Sequence, residues 1–120
     1  MKSFARLIGS AILGVALVAV SPALAGRMGG PMSEARIVPA YQSVYFDIPF
    51  LAGEPAVVSI AGNGSTILEL NIYDSEGNIA MGLGSWDRKI ATMNVNRGGL
   101  FRVEVRNLGQ AANSFAISTN

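Results

Sequence analysis

The chain has 120 residues, half of them hydrophobic and none of them cysteine or histidine, so it has room for one domain that must hold together without disulfides. Lack of histidine removes Ser-His-Asp and Cys-His catalysis and the commonest zinc ligand in one stroke. A formal charge of +1, with basic residues interleaved among acids, leaves no clustered footprint for nucleic acid.

Residues 1–25 hold much of the apolar excess. Lys2 and Arg6 make a positive start, Leu7 to Val20 form an apolar run broken only by Gly and Ser, and Ala23-Leu24-Ala25 puts small residues where a signal peptidase needs them. The run, about 14 residues, falls short of the ~20 that a membrane-spanning helix requires. Cleavage between Ala25 and Gly26 is expected, with delivery to the periplasm or the cell exterior. Removing Lys2 and Arg6 from nine basic residues leaves seven against eight acids, and the formal charge becomes −1. No later stretch approaches spanning length, so no membrane insertion is expected after cleavage.

Residues 26–40 are rich in Gly and Pro without periodicity and read as a flexible leader. From residue 41 to residue 120 the pattern has period 2, in short runs separated by Gly, Asn, Asp and Pro, which predicts an antiparallel β-sandwich of about seven strands, jelly-roll-like in form. The first is Ser43 to Phe50, with Val44, Phe46 and Ile48 on one face, Tyr45 and Asp47 on the other, and Pro49 marking a sheet edge. Ala56 to Ala61 follows, then Ile67 to Tyr73, where Leu68, Leu70 and Ile72 turn inward and Glu69, Asn71 and Tyr73 outward. A hairpin loop at 74–78 leads into a short strand from Asn78 to Met81. Lys89 to Val95, Leu100 to Asn107 and Asn113 to Thr119 complete the set, with Arg102, Glu104 and Arg106 as a charged outer ladder. The expected core is Phe46, Val58, Ile60, Leu68, Leu70, Ile72, Phe101, Val103, Val105, Phe115 and Ile117.

Several of these segments share a resemblance. Phe50-Leu51-Ala52-Gly53-Glu54-Pro55-Ala56-Val57-Val58-Ser59-Ile60, then Thr66 to Asp74 with a Gly-Asn turn at Gly77-Asn78, then Gly99 to Asn107 and the final Phe115 to Asn120 resemble the bacterial pre-peptidase C-terminal (PPC-like) domain over residues 41–120. The resemblance implies a jelly-roll-like sandwich used outside the cytoplasm as an accessory module, commonly beside secreted peptidases, with calcium or substrate binding in some members and no active site. This chain would be a stand-alone copy. It also carries Ile67 where the family has its first strand Asp, and Glu69 at the second, which weakens an inherited calcium role.

For metal, Asp74, Glu76 and Asn78 offer oxygens at alternate positions around Gly77, with Glu69 as a possible addition. Calcium wants six to eight oxygens and a bidentate acid, which this spacing lacks, so a plain hairpin turn is expected and no cofactor. For ligand binding, Trp86 in its Gly-rich loop could stack on a sugar or peptide together with Tyr73, but a loop aromatic in a small sandwich more often caps the end of the core, and capping is the expected role. For catalysis, no carboxylates are paired in an apolar motif, and Lys89 has no Ser-x-x-Lys context. The expected function is that of an exported, non-catalytic binding or accessory module acting on a protein or polysaccharide, as a monomer or weak homo-oligomer. The alternative is a structural envelope protein that self-associates through its sheet edges, using the Arg102-Glu104-Arg106 ladder.

Overall fold

The computed structural model describes residues 26–120. The expected signal segment, with Ala23 and Ala25, lies outside the described residues, while Gly26 lies within them and is buried.

Nine strands are present among the described residues: β1 (Met32–Val38), β2 (Ser43–Phe50), β3 (Ala56–Gly62), β4 (Leu68–Tyr73), β5 (Ile79–Met81), β6 (Leu83–Ser85), β7 (Arg88–Met93), β8 (Gly99–Asn107) and β9 (Asn113–Thr119). They form two antiparallel sheets, one of five strands in the order β1-β9-β3-β7-β6 and one of four in the order β2-β8-β4-β5. Packed face to face, these sheets make the β-sandwich that the alternating pattern predicts. Pro49 falls on β2, an edge strand, where its missing N–H costs no ladder bond.

Two strands exceed the expected seven. Residues 26–40 are not an unstructured leader: β1 pairs along its whole length with β9, from Asn113 opposite Val38 to Thr119 opposite Met32. Its alternation is masked because two core-side positions are charged. Glu34 and Arg36 stand opposite Ile117 and Phe115, they pair with each other, and the Arg36 guanidinium lies 5.0 Å over the Phe46 ring. The second addition is β6. The chain passes from one sheet to the other between β5 and β6, then turns back tightly into β7. Gly84 makes that return possible, since its φ is +143° and a Cβ there would collide with the Arg88 carbonyl.

All eleven expected core side chains are buried. Val38, Ile48, Phe50, Ala56, Ala91, Met93 and Val95 join them. Phe46 meets Phe115 edge-on across the two sheets at 6.3 Å, the arrangement that ring quadrupoles favour.

Candidate functional site

The outer face of the four-stranded sheet carries a grid of nine side chains set by strand register. Its rows read Ser43–Arg106–Glu69, Tyr45–Glu104–Asn71 and Asp47–Arg102–Tyr73, across β2, β8 and β4. Directly opposed residues lie ~5 Å apart, so each touches its row neighbours. Glu104 occupies the centre.

An outward-facing glutamate on a strand normally has its carboxylate in water, yet Glu104 is only 9% exposed. Its Oε2 accepts hydrogen bonds from the Ser43 hydroxyl at 2.7 Å and the Tyr45 phenol at 3.4 Å. Oε1 accepts from the Tyr73 phenol at 2.8 Å and the Asn71 amide at 3.4 Å. A carboxylate has about four lone-pair sites, and these donors fill them. Burial by itself would raise the Glu104 pKa, but the bonds from Ser43, Tyr73, Asn71 and Tyr45 outweigh it and hold the carboxyl below its ordinary value. The bond to Glu104 in turn raises the Tyr73 pKa, aided by desolvation and nearby negative charge.

The grid therefore has a fixed polarity. Both phenolic protons point inward to Glu104, so Tyr45 and Tyr73 present only acceptor lone pairs to solvent. Arg102 bonds Asp47 at 3.2 Å and lies 5.6 Å from the Tyr45 ring centroid, while Arg106 has no ion-pair partner among the described residues. Ile79 and Met81 on β5 stand opposite Tyr73 and Asn71, and both are exposed, as is Leu100. The result is a polar, aromatic centre with an apolar rim.

The other residues singled out from sequence scatter. At the β4–β5 turn, Asp74 Oδ1 accepts from the Glu76 and Asn78 backbone N–H at 2.9 and 2.8 Å, and its Oδ2 accepts from the Asn78 amide at 2.8 Å. The Asn78 side chain leads the bonds that lower the Asp74 pKa. This carboxylate organises a hairpin. Glu69 sits at the other end of β4, roughly 15 Å away at strand spacing, opposite Arg106. No group of three or more His, Cys, Asp or Glu side chains suited to a metal ion occurs among the described residues. A groove of about 440 Å³ beside the turn is lined by Asn78, Asn94, Asn96 and Arg97 over Phe101, and no buried polar group in its lining would orient a ligand.

Trp86 and Tyr73 do not meet, because Trp86 bonds the start of β4 through its carbonyl to the Leu68 N–H whereas Tyr73 ends that strand. Nor does Trp86 cap the core, since it is 52% exposed. Capping at that end falls to a buried polar cluster in which Asn113 bonds Asp87 and Thr66, and Asn107 bonds the Val38 and Ala111 carbonyls. Lys89 donates to the Leu68 carbonyl at 2.8 Å, which gives it a structural use.

No protein-family model matches the chain, and no curated protein matches it. Among solved structures it is similar to a de novo designed double-stranded β-helix, solved by solution NMR, at a TM-score of 0.48 and 13% identity, over 74% of this chain and 99% of that one.

Proposed function

We propose that this chain is an exported, non-catalytic binding module, acting in the periplasm or outside the cell, that docks a protein partner on the outer face of its four-stranded sheet. One observation carries the reading: Glu104 is held below the surface by four neutral donors. A buried charge is costly, and the fold does not need one on a face turned away from its core. The arrangement does fix the two phenols in place, and pre-organisation of that kind lowers the entropy lost on binding.

Composition supports a protein partner over a polysaccharide at this face. Tyr, Arg and Met, which protein interfaces favour, gather here with Ile79 and Leu100. The outer face of the five-stranded sheet has rows Ala35–Ala116–Ala61 and Ser33–Ser118–Ser59 at its centre, residue types that interfaces deplete, with exposed Ile37, Ile90 and Leu83 towards its edges. A carboxylate with every lone pair engaged is poorly placed as a general base, which argues for binding over catalysis. The resemblance to an extracytoplasmic accessory domain points the same way. Self-association by the outer ladder has less support, because Glu104 and Arg102 spend their charges within the sheet.

A photo-crosslinking side chain at Met81, on the rim, and another at Ala116, on the opposite face, test the reading in the producing cell. Discrete protein adducts from position 81, lost when Tyr45 and Tyr73 are both changed to Ala, are expected. Indistinguishable adducts from the two faces would refute it.

A further inference from the structure

One end of the sandwich carries the chain's single tryptophan, and the sheet-face site makes no use of it. Trp86 opens the two-residue turn between β6 and β7, whose flanking residues Ser85 and Arg88 are paired. Its φ is 57°, a left-handed conformation that suits glycine and strains a bulky residue. Joining the core would offset that strain, but Trp86 is not part of the buried cluster. The indole N–H donates to the Gly64 carbonyl at 3.0 Å, so the ring is oriented and has no free polar atom. Its footing is rigid as well: the Gly64 N–H and the Asn113 amide both bond the buried Asp87 carboxylate, at 2.6 and 3.1 Å, and Ser65 bonds the Ala112 carbonyl.

An immobilised aromatic plane, half out of water and near exposed Asn63, Ser65 and Ser85, matches the two-sided chemistry of a sugar ring. The C–H face of a pyranose packs on an aromatic plane, and its hydroxyls donate to and accept from small polar groups beside it. A protein hot spot differs, because there the aromatic sits at the centre of a larger patch that excludes water. We propose that Trp86 is a stacking platform for a pyranose unit of a polysaccharide, at a surface distinct from the Glu104 grid, so that the module tethers a protein partner to a glycan.

Because no other tryptophan exists in the chain, its emission reports this site alone. Soluble cello-, chito-, xylo- and manno-oligosaccharides are titrated into the mature protein, and a saturable change in emission is expected with at least one. Trp86→Ala should weaken that binding about tenfold or more by titration calorimetry. Trp86→Gly supplies the residue type that the turn backbone favours and guards against a variant that fails to fold. Changing both Tyr45 and Tyr73 to Ala should leave the sugar affinity unaltered, which keeps this inference separable from the protein-docking reading. Emission unmoved by all four sugars, or a folded Trp86→Gly protein that binds sugar as tightly as the parent, would overturn it.

Discussion

Tyr73 donates its phenolic proton to Glu104 at 2.8 Å, and the bond moves their acidities apart, the tyrosine upward and the glutamate downward. The pair joins adjacent strands diagonally, since Tyr73 stands opposite Arg102 and Glu104 opposite Asn71.

Glu104→Gln replaces one acceptor with a donor that faces other donors, and should destabilise the fold by about 1–3 kcal/mol. Since the folded Glu104 pKa lies below the unfolded one, its contribution is complete above the unfolded value of about 4.3 and is lost as pH falls through the folded value. Tyr73 has the opposite sign: its contribution is present below the unfolded value of about 10 and is lost as pH rises through the raised folded value. Denaturant titrations across pH should therefore show a shallower acid limb in Glu104→Gln than in the parent. Superimposable limbs would mean that Glu104 does not govern acid stability.

Leu70 is fully buried, whereas Asn71 faces outward with one long bond to Glu104. Leu70→Ala should cost about 2–5 kcal/mol and Asn71→Ala less than about 1 kcal/mol in equilibrium unfolding. Similar losses at both positions would contradict the register of β4.

Calcium should leave the melting temperature unchanged, because the Asp74 oxygens already accept three bonds from Glu76 and Asn78. An ion bound at a thousandfold excess over its Kd would add about 4 kcal/mol, and calorimetric scans with and without calcium would then differ by more than about ten degrees for a domain of this size.

Intact-mass measurement of the exported protein should find Gly26 at the N-terminus. That residue has a structural role too, because a Cβ on it would strike the Asn120 amide, which donates to the Pro55 carbonyl at 2.8 Å while its oxygen accepts from the Val57 N–H at 3.0 Å. Gly26→Ala should lower stability by about 1–3 kcal/mol in thermal or denaturant melts.

The sandwich core was legible in the sequence because burial on one sheet face leaves a period-2 trace, and Leu68, Leu70 and Ile72 keep it without interruption. β1 left no such trace, since Glu34 and Arg36 take core-side positions and are satisfied by each other and by the Phe46 ring. For the Glu104 grid the alternation placed each member outward. Which of them meet depends on register between strands more than 30 residues apart, as with Tyr73 and Glu104 or Ser43 and Glu104, and a single strand's pattern carries no such information. The exposure of Trp86 was equally hidden, because it follows from a left-handed turn residue that the surrounding Gly and Ser do not announce.

The pairing of β1 with β9 also sets an order of events. Met32 bonds Thr119 across 87 positions of sequence, so the first described strand has no partner until the last one has been delivered. A chain exported N-terminus first would cross the membrane with β1 unpaired for nearly the whole transit, and the five-stranded sheet could close only afterwards. Folding would then be post-translocational and governed by a search over long loops, on the millisecond-to-second scale of all-β sandwiches. Through that interval the charges on Glu34 and Arg36 would keep the waiting strand in solution.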